Sequence, residues 1–528
     1  MPSITRRFPH GVVVSPHHLA SAAGQRVLAD GGNAIDAAAA ANLVLAVVTP
    51  YYCGVGGDLL AIVWDGAARG VASTGRAPAG ATVAQVRAAI AAGHGDTSVA
   101  HPGTAGMPMF GALPVTVPGA VAGWFHLLER WGTRTFGALS AAARDLALEG
   151  FEVEPRVGAA VDRARARFDS DPVWEAHYGR MRTGRRFVQR DLAATLSLLA
   201  EDGPAAMTRG RLAEAIVATL QARGSSMSLE DLAAHTVDEP TPLVGGYRDV
   251  EVLELPPPTQ GVTALTALAV LEALGSLPSD RALATHLQIE AVRAAMADRQ
   301  EHLADPEAMR TGPGALLAPS RVHTIARGID HGRVASWPPV RPAAGGTAYL
   351  CAADRDGLLV SLIQSNFVGF GSGVVVPGTG IGLHDRGAHF SLDPDDPAAI
   401  GPRKRPMHTL IPGLALRDGL PWLVFGTMGG DGQPQIHQQL LVELLDRDRS
   451  LAEALDAPRF IVDVADGSVG LESRAAAGLV QGLSDRGHDV VPLDAYDDRA
   501  GHAHLIEVTP HGYAAASDPR CDGGAIGY

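Results

Sequence analysis

Apolar positions along the chain fall into short runs whose spacing alternates between strand and helix periods. Residues 11–14 read as a short strand, and residues 19–28 repeat apolar side chains at helical spacing up to Gly31-Gly32, a C-cap signal. Asn33 is placed to cap a nearly all-apolar stretch, 34–48, which Pro50 stops. Asp36 and Asn42 within it predict a buried helix rather than a membrane span. A glycine turn, Gly54-Val-Gly-Gly-Asp58, leads into a strand at 59–64. Residues 77–120, rich in Ala, Gly, Pro and Thr, predict loop. Residues 121–235 predict helix, with amphipathic stretches at 192–199, 212–220 and 229–234. A strand at 251–255 ends at Pro256-Pro257-Pro258, and helices follow at 262–274 and 286–302. The Pro/Gly-rich stretch 335–346 is the best linker candidate. Beyond it, strand-like runs at 349–353 and 358–363 flank Asp354-Arg-Asp-Gly357, a hairpin signal. A strand at 422–425 and a helix at 438–445 complete the pattern.

Composition narrows this picture. The 528 residues allow three or four domains or one large α/β unit, and 46% hydrophobic residues supply ample core. A formal charge of −14 disfavours nucleic acid and anionic membranes as partners. Lys404 is the sole lysine, a bias that fits a GC-rich genome better than a function. Cys53, Cys351 and Cys521 cannot build a disulfide framework and predict a reducing compartment. The first twenty residues lack a signal-peptide apolar core, so a cytoplasmic location is expected.

Several chemistries fail on spacing. There is no HExxH, CxxC or HxxxH pattern for a metal, no GxxxxGK[ST] phosphate loop and no GxSxG elbow. His17-His18 reads as polar surface, and Pro402-Arg-Lys-Arg-Pro406 as a solvated loop. What remains is a set of glycine clusters: Gly54-Val-Gly-Gly57, Gly369-Phe-Gly-Ser-Gly373, Gly378-Thr-Gly380 and Gly429-Gly-Asp-Gly432. Each alone is a turn. Together they imply backbone pressed around a site, where amide N–H groups can hold an oxyanion or carboxylate.

Gly345-Gly-Thr-Ala348, the hairpin after it and Phe370-Gly-Ser-Gly-Val374 make the chain resemble the γ-glutamyltransferase (glutathione hydrolase) family of N-terminal-nucleophile hydrolases. Ordered matches run the full length. They include Gly31-Gly-Asn-Ala-Ile-Asp36, Gly54 to Asp58, Gly75-Arg-Ala-Pro78, Pro256-Pro-Pro-Thr-Gln-Gly261, Asp298-Arg299, Lys404-Arg-Pro406 and Ser517-Asp-Pro-Arg520. The resemblance implies an α/β fold, a four-layer αββα sandwich, and an inactive precursor that cuts itself between Gly346 and Thr347. Large (1–346) and small (347–528) subunits would then stay associated as one structural domain, with higher oligomers open. No cofactor and no metal are implied. Freed Thr347 would offer a hydroxyl nucleophile and an α-amine base, since an α-amine titrates near pH 8.

Other roles follow residue by residue from the resemblance. Gly429 and Gly430 match the oxyanion-hole pair, Ser365 a second hydroxyl that orients the nucleophile, and Arg76 the arginine that binds a substrate carboxylate. The recognition set departs from the family. His389 stands where an acidic residue binds the substrate amine. His408-Thr409 replaces a Ser-Ser pair, and Asn366 lies beside the family's Asn position, which Phe367 fills. The pattern resembles a divergent branch that includes glutathione-hydrolase-like proteins and oxamate amidohydrolase. The expected substrate is a small acidic amide, either γ-glutamyl or a dicarboxylic amide of the oxamate kind.

Overall fold

The computed structural model describes residues 3–95, 105–336 and 345–528. Two antiparallel sheets carry the architecture. One has seven strands, ordered Arg6–Phe8, Gly512–Ser517, Ala503–Thr509, Leu420–Thr427, Gly413–Arg417, Val250–Glu254, Leu243–Tyr247. The other has six, ordered Gly524–Gly527, Val12–Ser15, Gly346–Ala353, Leu359–Phe367, Asp58–Trp64, Ala68–Ser73. Both sheets mix strands from before and after Gly346, so neither side of that bond owns either of these two sheets.

Strand periodicity explains how the cores divide. In Gly346–Ala353, alternate residues Tyr349, Cys351 and Ala353 join a buried cluster with Leu253, Leu414, Val424 and Ile506 of the seven-stranded sheet. Their neighbours Ala348, Leu350 and Ala352 join a second cluster with the helix Ala34–Val48. Successive side chains leave a strand on opposite faces. A third cluster packs the helix Gly261–Leu274 and the helix Gly432–Leu441 against Leu423, Phe425 and Leu505. By the same parity, Thr347 shares the face of Tyr349, and Ser365 shares that of Ile363.

Most predicted elements occur. The helix Ala34–Val48 carries a capping box from Asn33 and Asp36, and Gly31 adopts φ 83° at the turn before it. The differences are instructive. A helix, Val83–Ala91, lies inside the predicted loop because Thr82 accepts from Gln85 N and caps an Ala-rich turn. The helix expected at 438–445 starts at Gly432, since Pro434 falls in the first turn, where a missing N–H costs nothing. The helix expected at 286–302 begins at Arg281, capped by Asp280. His17 is buried, not surface, and its ring accepts from Leu19 N at the start of the first helix. Residues 337–344 of the linker candidate lie outside the described residues. No helix among the described residues is long and apolar enough to cross a membrane.

Candidate active site

Thr347 is the second residue of its strand and is 1% exposed in the uncut chain. Its Oγ1 donates to Ser365 Oγ at 3.2 Å, and Ser365 Oγ donates to the Gly346 carbonyl at 2.8 Å. One hydroxyl thus touches both the Thr347 hydroxyl and the carbonyl before it. A bulge between Gln364 and Phe367 makes this reach available: Phe367 pairs with Gly346, has φ 76°, and its N–H donates to Ser365 Oγ at 2.7 Å.

Arg386 completes the network. It is 1% exposed, donates from Nη1 to Thr409 Oγ1 at 3.0 Å and from Nη2 to Ser365 Oγ at 3.4 Å. Its guanidinium also lies 4.3 Å from the centre of the Phe367 ring. A hydroxyl has one donor and two lone pairs, so the 3.4 Å contact is the weakest of those on Ser365 and the easiest to surrender. Arg386 Nε has no partner among the described residues. Burial lowers the Arg386 pKa to about 10, with Asp58 and Asp385 acting in the opposite sense, so the group stays cationic at neutral pH.

Asp58 and His408 form the wall beside it. His408 Nε2 lies 3.0 Å from Asp58 Oδ2, and Gly75 N donates to Asp58 Oδ1 at 3.2 Å. Burial pushes the Asp58 carboxyl up, but His384, His408 and Arg386 outweigh it and hold the carboxyl below its usual range. Burial, then Arg386, lowers His408 to about 4. His408 is therefore a neutral imidazole that donates Nε2–H to a carboxylate, and its Nδ1 has no partner among the described residues. Burial pushes the Asp385 carboxyl well above the carboxylate range.

The glycine pair stands on the loop between the strand Leu420–Thr427 and the helix Gly432–Leu441. Gly429 and Gly430 have φ 132° and 56°, values that favour glycine. A side chain at Gly345 would start 3.8 Å from Gly430 Cα, which puts this loop two residues from Thr347. Gln260 holds the loop, donating Nε2 to Gly430 O at 2.8 Å and Thr409 O at 2.9 Å, while its Oε1 accepts from Arg299 at 2.8 Å. Arg299 also binds Asp431. A cavity of about 400 Å³ opens here, lined by Gly345, Met428, Gly429, Asp431 and Gly432.

The remaining predicted residues lie apart. Arg76 donates to Arg403 O at 2.9 Å and lines a separate cavity of about 270 Å³ with His235, Arg403 and Arg405. Asn366 is a backbone brace, donating Nδ2 to Pro50 O at 3.1 Å and N to Tyr52 O at 2.9 Å. His389 is buried, 4.6 Å from the Phe367 ring, at a void of only about 20 Å³. So the fold joins Thr347, Ser365, Thr409 and the loop of Gly429 and Gly430 to Arg386, reaches His389 through the Phe367 ring, and places Arg76 at a separate cavity. Arg386 went unread in the sequence, although it stands three residues before His389, because nothing in one sequence separates a buried arginine from a solvated one.

Residues 20–528 match the family model described as gamma-glutamyltranspeptidase. The chain belongs to the gamma-glutamyltranspeptidase family. It is 36% identical to the oxamate amidohydrolase proenzyme of Klebsiella pneumoniae over 535 residues, covering 98% of each chain. It is 34% identical to the glutathione hydrolase-like YwrD proenzyme of Bacillus subtilis over 529 residues, again covering 98% of each. The crystal structure of cephalosporin acylase from Bacillus halodurans superposes with a TM-score of 0.91 at 34% identity, covering 100% of this chain and 97% of that one. As a gamma-glutamyltranspeptidase family member the protein is a hydrolase of the proenzyme type. Within this frame Gln260 and Arg299 hold the loop of Gly429 and Gly430.

Proposed function

We propose that the chain is a self-cleaving amidohydrolase on a four-layer αββα frame, acting on short amides that carry a carboxylate. The supporting observation is the double contact of Ser365 Oγ with Thr347 Oγ1 and Gly346 O. In the precursor, Thr347 Oγ attacks the Gly346 carbonyl carbon while Ser365 Oγ–H steadies the developing oxyanion. The hydroxyl proton passes to the Thr347 nitrogen as the C–N bond breaks, an ester forms on Thr347, and water hydrolyses it to a Gly346 carboxylate and a free Thr347 amine. The products are subunits 1–346 and 347–528, associated through sheets to which both contribute strands. In the mature enzyme the Thr347 amine takes the hydroxyl proton as Oγ attacks the substrate amide. Gly429 and Gly430 N–H groups face the oxyanion at the start of a helix, whose dipole favours negative charge there. The leaving amine takes the proton, and water or another amine releases the acyl group.

The geometry favours Arg386 for the substrate carboxylate. It is buried, hydrogen-bonded to the Thr409 and Ser365 hydroxyls, and one contact from Thr347. Arg76 is the second candidate, supported by the resemblance. A histidine at position 389 does not itself offer a fixed negative charge to an α-amine, which supports an oxamate-like or dicarboxylic amide. A γ-glutamyl amide is the second reading, supported by the glutathione hydrolase-like relative. Intact mass of the purified chain tests the core of the proposal. Two species that break between Gly346 and Thr347 are expected; a single uncut 54.7 kDa chain with no amidase activity would overturn it. Oxamate and a γ-glutamyl anilide assayed side by side then separate the two substrate readings.

A further inference from the structure

His502 precedes the strand Ala503–Thr509, and His504 lies in it. A two-residue spacing on extended chain puts both rings on one face, and their centroids are 5.9 Å apart. Cys521 follows the paired strand Gly512–Ser517, whose Ser517 stands opposite His504. One nitrogen of each ring is held from behind: His502 Nε2 by Tyr52 OH at 3.2 Å, and His504 Nδ1 by Ser517 Oγ at 3.2 Å. The other nitrogens, His502 Nδ1 and His504 Nε2, have no partner among the described residues, although both histidines are 0% exposed. Buried polar atoms normally find one. One ring nitrogen from each histidine and Cys521 Sγ all lie within 4.8 Å of one another.

We propose that His502, His504 and Cys521 form a binding site for a divalent cation of the zinc type. Two imidazoles and one thiolate are a borderline-soft set, and three protein ligands with a water in the fourth position suit tetrahedral zinc. At the usual bond lengths of about 2.0–2.1 Å to nitrogen and about 2.3 Å to sulfur, the ligand atoms would stand roughly 3.5 Å apart. Side-chain rotation covers that closure. No carboxylate joins the set, which disfavours magnesium and calcium: the nearby Asp518 is engaged by Arg459 at 2.6 Å and Arg520 at 3.1 Å. Tyr52 and Ser517 act as the outer contacts that fix ring tautomer and orientation at such sites. On binding, the Cys521 thiol gives its proton to solvent and gives up its present contact with Asp518 O, 3.2 Å away. No electron is transferred. The site is wired to the catalytic loop, because the His502 carbonyl accepts from Met428 N at 3.2 Å and Thr427 Oγ1 at 3.0 Å, just before Gly429.

Titration of the purified full-length protein with Co²⁺ tests the assignment. One equivalent should produce a thiolate-to-cobalt absorption band that Zn²⁺ abolishes. Cys521→Ser, a near-isosteric change, should lack the band and bind Zn²⁺ at least tenfold more weakly, with an unchanged melting temperature in chelator. His504→Gln gives a second loss of affinity that does not depend on removing sulfur. The groupings His17/His18/Glu154 and His286/Glu290/His488 contain no sulfur, so they cannot supply the band. Absence of the band in wild type, or an equal band in Cys521→Ser, overturns the proposal.

Discussion

Arg386 lies 1% exposed against two hydroxyls of the network around Thr347, whereas Arg76 stands at a cavity with its guanidinium on a backbone carbonyl and two further arginines beside it. The difference is one of existing compensation. Around Arg76, Arg403 pairs with Glu230 at 3.0 Å and Arg405 with Asp238 at 2.7 Å, and Asp231 and Glu307 line the same cavity. Charge there is already balanced and partly screened by solvent. Around Arg386 the hydrogen bonds go to two hydroxyls while the Asp58 carboxylate acts on it through its charge, and a low-dielectric setting strengthens any bond to an incoming anion. A position matched by resemblance and a position prepared by physics therefore point to different arginines.

The largest test asks whether this neighbourhood is catalytic at all. Thr347→Ala should remain one uncut chain with no amide hydrolysis, since the same hydroxyl drives both reactions. Two fragments from that variant on a denaturing gel would remove Thr347 from the processing step. Next is Arg386→Gln, which should raise KM for carboxylate-bearing amides by about 10–150-fold, the equivalent of a lost charged hydrogen bond of about 1.5–3 kcal/mol. Processing should continue, because Ser365 keeps its contacts with Thr347 and Gly346. An unchanged KM in a folded, processed variant would return the carboxylate to another residue.

Acid gives a smaller and broader test. Burial, then Arg386, lowers His408 to about 4, and burial lowers His235, beside Arg76, to about 4 as well. A histidine whose folded pKa is depressed stays neutral in the fold while the unfolded chain takes a proton below about 6.5. Stability from both should be complete above about pH 6.5 and lost as pH falls through about 4. Melting temperatures measured from pH 7.5 to 4 should fall steadily. A flat profile would mean that these rings take up protons in the fold as readily as in the unfolded chain.

The legible and illegible parts of the sequence separate along physical lines. The helix Ala34–Val48 was readable because its start, apolar body and stop are local signals. The hairpin carrying Thr347 was readable for the same reason, and resemblance then supplied the nucleophile and the glycine pair. Arg386 was not, because its burial comes from Phe367, Thr409 and Ser365, brought together by a strand bulge and a loop closure. In the sequence Asp58 shows only as the end of a glycine turn; its partner His408 is 350 residues away. The His502, His504 and Cys521 grouping has no short-motif spacing, because a strand and the return of its neighbour assemble it.

The smallest expected effect sharpens the comparison most. Arg76→Ala removes one hydrogen bond to Arg403 O at the edge of a cavity that keeps Arg403 and Arg405. Surface electrostatic losses of this kind are worth about 0–1 kcal/mol, so KM should change by less than about fivefold. The resemblance carries the opposite expectation, a sharp rise, because it assigns Arg76 the substrate carboxylate. Measuring KM for oxamate with Arg76→Ala and Arg386→Gln in parallel decides between the two. A large rise confined to Arg386→Gln places recognition inside the buried network. A large rise confined to Arg76→Ala would show that substrate binding draws that loop toward Thr347, and the carboxylate role would pass to Arg76.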